Sequence, residues 1–187
     1  MKRGAAGRWL GWGLLLWLAG AGSVSSSTGA AQMRDERAVR AAYVFNLIKY
    51  VEWPSQDREL TIGLAGDAAT GEVMEKLLNG RASDGETVRV VRSPSDEELA
   101  KCRVLYIADG QAGEALRFLE KVRGRSILTV GETEAFARAG GMIGLVNSGD
   151  HIQIEVNLDA AQSAGIRISS RVLNLATIVR TGQKGGN

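Results

Sequence analysis

One histidine and one cysteine are all that 187 residues offer of the usual metal-binding and thiol chemistry. A cysteine-rich zinc site, an intramolecular disulfide and a multi-histidine centre are therefore out of reach, and neither a metal nor a cofactor is expected. The chain contains no Walker loop and no G-x-G-x-x-G, G-x-S-x-G, C-x-x-C or H-E-x-x-H pattern. Gly66-Asp67-Ala68-Ala69-Thr70-Gly71 stands where a phosphate loop would, but it lacks the closing Lys-Ser/Thr and reads as an ordinary turn. Cys102 reads as a small buried hydrophobe, able at most to pair between chains. His151 reads as a solvated or hydrogen-bonded side chain at a strand start, with a pH sensor or ligand contact as the other reading.

Three groups remain that could recognise something. Thr129-Val130-Gly131-Glu132-Thr133 is a strand-to-helix turn at a carboxyl end of the expected sheet, where α/β folds place ligands. Its glycine and amides could hold an anion at a helix start; equally, Gly131 could serve the turn and Glu132 the helix dipole. Arg167-Ile168-Ser169-Ser170-Arg171 brings two guanidiniums and two hydroxyls ahead of an amphipathic stretch. The arginines could grip a carboxylate or phosphate through paired hydrogen bonds, or the serines could simply cap a helix. Glu132 and Glu155 would make a hydrolytic pair only if they met across a cleft.

These groups must be carried by elements, and the first thirty-one residues are not expected to be among them. Lys2, Arg3 and Arg8 precede an apolar stretch, Trp9–Gly22, and a small polar run ending at Ala31. That is the layout of a secretory signal peptide, and the apolar stretch falls short of the roughly 20 residues of a spanning helix. The expected division is a leader over 1–31 and one domain over 32–187. Cleavage would remove three of the 23 basic residues and none of the 21 acids, turning a formal charge of +2 into −1. No basic stripe then suggests nucleic acid. Trp53 would be the only tryptophan left.

From Gln32 to about Glu52 apolar residues recur at three- and four-residue steps, predicting a helix that Trp53-Pro54 ends. Strands are expected at Leu60–Gly66, Thr87–Ser93, Arg103–Asp109 and Ser126–Gly131. Helices are expected after Asp67 through Leu78, after Ser93-Pro94-Ser95, over Ala112–Val122 and over Glu132–Ala139, the last stopped by Gly140-Gly141. Met142–Val146 and His151–Asn157 form a hairpin about Asn147-Ser148-Gly149-Asp150. A helical patch at Asp159–Ala164 and a helix over Ser169–Arg180 close the chain. Strands alternating with helices specify α/β: a single-domain, mainly parallel β-sheet with helices on both faces and a C-terminal antiparallel hairpin.

Taken together and in order, AAYVFNLIKYVEWP (41–54), LTIGLAGD (60–67), CRVLYIA (102–108), SILTVGETEAFARAGGMIGLV (126–146), IQIEVNLDAA (152–161) and GIRISSRVLNLA (165–176) resemble the YfiR-like family of exported bacterial proteins. The resemblance rests on Val51-Glu52-Trp53-Pro54, on Thr129, Val130, Gly131, Glu132 and Phe136, and on Gly140-Gly141-Met142-Ile143. Glu155, Asn157 and Leu158, with Ile168, Ser169, Ser170 and Leu173, complete it. It implies a periplasmic domain that is not an enzyme. Such a domain represses an inner-membrane diguanylate cyclase by binding its periplasmic sensor part, lowering cyclic-di-GMP and biofilm formation. A small-ligand-binding module acting on another membrane sensor is the alternative, and a homodimer is compatible with either. The surfaces to consider are Trp53, the Thr129–Glu132 turn, Glu155, Asn157 and the Arg167–Arg171 run. The family's hairpin aromatics are replaced here by Gly144/Leu145 and Gln153/Ile154, and its additional cysteines are missing, so redox control does not transfer.

Overall fold

The computed structural model describes residues 27–55, 59–110, 113–149 and 151–181. The expected leader lies outside them through residue 26, as do Ala112 and Asp150. The chain runs α1 (Ser27–Leu47), a 3-10 turn (Ile48–Tyr50), β1 (Val51–Glu52), β2 (Thr61–Ala65) and α2 (Ala68–Leu78). It continues through β3 (Ala82–Ser83), β4 (Glu86–Thr87), β5 (Arg89–Arg92), α3 (Asp96–Lys101), β6 (Val104–Ile107) and α4 (Glu114–Val122). The last third is β7 (Leu128–Gly131), β8 (Ile143–Ser148), β9 (His151–Asn157), α5 (Leu158–Ser163), β10 (Arg167–Ile168), α6 (Ser170–Leu173) and β11 (Ala176–Val179).

Seven strands form one sheet in the order β11-β9-β8-β7-β6-β2-β5. All neighbours are parallel except β8 and β9. The central strands β2, β6 and β7 are buried along their whole length, as a parallel sheet covered on both faces requires. Alternation sorts their side chains. Ile62, Leu64, Val104, Tyr106, Leu128 and Val130 meet Val44 of α1 and Met74 of α2 in one cluster. Leu105 and Ile107 meet Leu99 of α3, Val122 of α4 and Phe136 on the other face. Asp67 caps α2 by accepting from the Thr70 amide at 2.8 Å. Ser95 and Glu98 form a reciprocal capping box at the start of α3.

Three local expectations change. The first helix stops at Leu47, and Val51–Glu52 instead pair antiparallel with Arg167–Ile168. The chain is already extended there, two residues before the Trp53-Pro54 step that forbids helix. Residues 132–139 form turns rather than a helix, because the Phe136 ring lies against the backbones of Gly131 and Gly141. A Cβ at either glycine would overlap that ring, so the G-E-x-x-x-F and G-G motifs describe one packing device. The expected helix over 169–180 is the short α6 followed by β11. Thr177-Ile178-Val179 are β-branched and complete the ladder alongside β9. The β8–β9 hairpin is consequently one strand in from the sheet edge.

Candidate functional site

The strand order reverses at β2: the chain leaves it through α2 to β5 on one side, then crosses to β6 on the other. In open α/β sheets the crevice at such a switch point, beyond the carboxyl ends of the strands, is where ligands sit. Here the loops after β2 and β6 touch. Gly66 adopts φ +90°, and a Cβ on it would overlap the Ala108 carbonyl oxygen, so only glycine fits.

Around that contact α1 delivers two arginines. Arg37 donates to the Thr70 hydroxyl at 3.1 Å and to the Asp67 carboxylate at 3.3 Å. Arg40, only 7% exposed, donates to Asn147 Oδ1 at 2.8 Å and ion-pairs with Glu36 at 3.7 Å and Glu132 at 3.8 Å. Glu132 also accepts from the Tyr106 hydroxyl and from the Asp109 amide. The Arg40 Nε atom is buried without a hydrogen-bond acceptor, so the network is held by charge as much as by geometry. Burial, then the charge of Glu132, push the Tyr106 phenol well above its ordinary range. Tyr106 is therefore a permanent donor to the carboxylate. The Thr70 amide, with Arg37 assisting, holds Asp67 below the usual carboxylate range.

On the Tyr106 side the crevice at Glu132 is thus filled by protein, while on the other side a pocket of about 230 Å³ opens beside Asp109, Gly110, Glu114 and Thr133. The space left beside Tyr106, Gly66 and Asp67 is about 40 Å³, room for a water or two but not for a metabolite. A larger cleft of about 550 Å³ opens next to it, between α1 and the β8–β9 hairpin, lined by Glu36, Val39, Tyr43, Asn147, His151 and Ile152. That volume is in the range of small-molecule pockets.

The other residues singled out in the sequence are scattered. Thr129 is buried and accepts from the Met142 amide at 2.9 Å, and Gly131 makes room for Phe136. Glu155 is buried and paired with Arg138 at 2.7 Å. It alternates with Ile154 and Val156, which lie on the α1 face, so Glu155 is on the opposite face from the Glu132 network. The two carboxylates do not meet, and the hydrolase reading falls. Asn157 is fully buried, donating to the Ala137 carbonyl and Thr181 and capping α5.

At the opposite, amino end of the sheet, Trp53 is buried, donates to the Arg103 carbonyl at 3.1 Å and carries the Arg103 guanidinium over its ring. Arg103 in turn grips Glu86 with two hydrogen bonds of 2.7 and 2.8 Å. Close by, the β1–β10 ribbon exposes Arg167, paired with Glu52 at 2.7 Å. Ser169 caps α6, and its amide donates to Tyr50. Ser170 and Arg171 are exposed, the Arg171 guanidinium standing 6.0 Å from the Tyr50 ring. The structure therefore brings together Trp53, Arg167, Ser169, Ser170 and Arg171 at one end and leaves Glu132 at the other.

Sequence reasoning missed Arg37, Arg40, Tyr106 and Asn147. For Arg40 a signal existed: Arg40, Val44 and Leu47 fall at helical spacing on the buried stripe of α1. A charge on that stripe has to find a partner.

Compared with known proteins, residues 37–177 match a family model described as YfiR/HmsC-like. No curated protein matches the chain. Among solved structures, the chain is similar to the ABC domain in complex with L-Trp from Streptococcus pneumonia, with a TM-score of 0.55 and 16% identity. The match covers 74% of this chain and 60% of that one. At that identity the likeness is one of fold alone.

Proposed function

Because the chain belongs to the YfiR/HmsC-like family over residues 37–177, we propose that it is a periplasmic regulator, not an enzyme, of an inner-membrane signalling protein. The partner is a diguanylate cyclase with a periplasmic sensor domain, and binding represses it. Family membership carries this reading. The expected leader at 1–31 supports export, and no helix among the described residues is long and apolar enough to cross a membrane. Repression follows if the regulator binds the inactive receptor more tightly than the active one and so shifts the population. The amino-end surface supports the contact: Arg167 on the β1–β10 ribbon and Arg171 on α6 expose guanidiniums suited to bidentate grip of acidic groups.

The test is a crosslinked pull-down from native membranes with tagged, exported protein as bait. Recovery of a membrane diguanylate cyclase is the expected result, with its loss when Arg167 and Arg171 are changed to Ala in a protein of unchanged fold. Recovery of no membrane protein overturns the reading.

The cleft between α1 and the hairpin favours a second reading, a small-ligand module acting on another membrane sensor. It predicts a ligand-dependent rise in melting temperature. A metabolite screen without any shift removes it.

A further inference from the structure

The cavities of this molecule differ in the charge they present. The cleft between α1 and the hairpin shows Asp35 and Glu36 beside His151, and the pocket at the carboxyl ends shows Asp109 and Glu114. Another, at the foot of β2 and β5, balances Glu59 and Glu98 against Arg89 and Lys101. A cavity of about 460 Å³ between the end of α4 and α5 is different: its charged groups are Arg123, Arg125 and Asp159. Its acid is already drawn to Arg180, at 3.6 Å. Exposed Arg125 makes no ion pair among the described residues. Arg123 pairs with Glu120 at 2.7 Å, but both side chains are largely exposed, so that partner is easily exchanged. Between the charges the walls are apolar, made by Leu119, Val122, Met142, Ala160 and Ala164. Thr129 also lines the cavity, although only 1% exposed. Its hydroxyl accepts from the Met142 amide, and its own proton has no acceptor among the described residues. A buried donor of that kind needs an oxygen.

We propose that this cavity binds an amphipathic carboxylate, its apolar body on the walls and its charged head held by Arg123 and Arg125. Planar guanidiniums match a carboxylate through paired hydrogen bonds. Apolar walls with a few polar groups, at this volume, are the make-up of small-molecule sites. The neighbouring pocket sets the orientation. Leu119 and Ala139 line both it and this cavity, and beyond that shared wall stand Asp109 and Glu114. Like charge turns a carboxylate away from that side. The head therefore lies at the arginines, and the body points toward Leu119 and Ala139. Thr129 offers its proton to an oxygen of the same ligand.

The probe is octanoate, titrated by calorimetry into the purified protein as the cell processes it, without membranes. Saturable binding of one octanoate per chain is expected. Octan-1-ol lacks the charge and acetate lacks the body, so each binds at least about tenfold more weakly. Changing Arg123 and Arg125 together to Ala weakens octanoate by about tenfold or more and leaves the urea midpoint unchanged, since both side chains are exposed. Ala139→Phe fills the shared wall and blocks binding without touching a charge. Absence of saturable octanoate binding overturns the proposal. So does octan-1-ol binding equally well, because the cavity would then select only for apolar bulk. Octanoate binding that the arginine variant or Ala139→Phe leaves intact overturns it as well. If Val39→Trp then abolishes that binding, the ligand belongs to the cleft beside α1. No membrane protein is present in the titration, so this proposal and the regulator reading can fail separately.

Discussion

Arg40 at the carboxyl end of the sheet and Arg167 at the amino end are held in opposite states. At the carboxyl end Arg40 is buried among Glu36, Glu132, Asn147 and Tyr106; at the amino end Arg167 is 82% exposed, with Glu52 as its partner. A guanidinium taken out of water has been paired at the cost of its hydration, and removing it leaves a stranded carboxylate. One left in water gives up little when it pairs, and can exchange that partner for another. Arg40 therefore fastens α1 to the sheet, and Arg167 is free to recognise something. Residue type alone does not distinguish the two, but the place of Arg40 on the buried stripe of α1 does.

The sharpest way to break this contrast is Arg40→Met, which keeps the stem and removes the charge. Glu132 then keeps only Tyr106 and the Asp109 amide, and a loss of about 3 kcal/mol is expected in urea denaturation. Adding Glu132→Gln should restore much of it, because removing both charges avoids the orphan. A single-variant loss below about 1 kcal/mol, the level of surface pairs, would mean that the carboxyl end is no more committed than the amino end.

Gly141→Ala comes next and tests whether the 131–141 turn serves packing or recognition. Its new methyl would overlap the Phe136 ring, with an expected cost of about 1–3 kcal/mol. Unchanged stability with lost partner binding would return this turn to the binding surface.

Much of this fold is legible in sequence because the periods are clean. TIGLA, VLYI and LTVG read as buried strands, Asp67 and the Ser95 box as helix starts, and the parallel order follows. What fails is what depends on distant partners. β11 looks helical by spacing, yet the open ladder of β9 decides it. The exception is local: the mini-hairpin β3–β4 turns on Asp84-Gly85, both left-handed at φ 50° and 85°, a two-residue signal of the kind that specifies tight hairpins. The carboxyl-end network is assembled from residues 36 to 147, and no local pattern links Arg40 to Asn147. Likewise Trp53 reads as a surface candidate, but Arg103, 50 residues on, buries it.

A smaller effect at the carboxyl end has a definite pH sign. Asp67 titrates below its ordinary 3.8 in the folded protein, chiefly through the Thr70 amide. A depressed folded value means that the stabilising contribution is complete above the ordinary value and fades as pH falls through the folded one. The side chain is 38% exposed, so solvent screening holds the contribution below about 1 kcal/mol. Asp67→Asn should lower the urea midpoint at neutral pH and converge with the parent protein in acid. A gap that persisted at low pH would assign the effect to the lost cap rather than to charge.

The smallest effect on stability is expected where binding should change most. Replacing Arg167 and Arg171 with Ala breaks the Arg167–Glu52 pair and one distant contact to Tyr50. Changes at such exposed positions usually stay within about 0.5 kcal/mol. The backbone pairing of Val51 with Ile168 and of Glu52 with Arg167 needs neither side chain, so the ribbon should survive intact. A protein that melts like the parent and yet no longer captures its membrane partner would separate the two ends in the terms that matter: Arg40 holds the fold, Arg167 and Arg171 do not. If the double variant instead lost stability on the scale of Arg40→Met, the amino-end arginines would be structural too. Recognition would then have to be sought on the cleft between α1 and the hairpin.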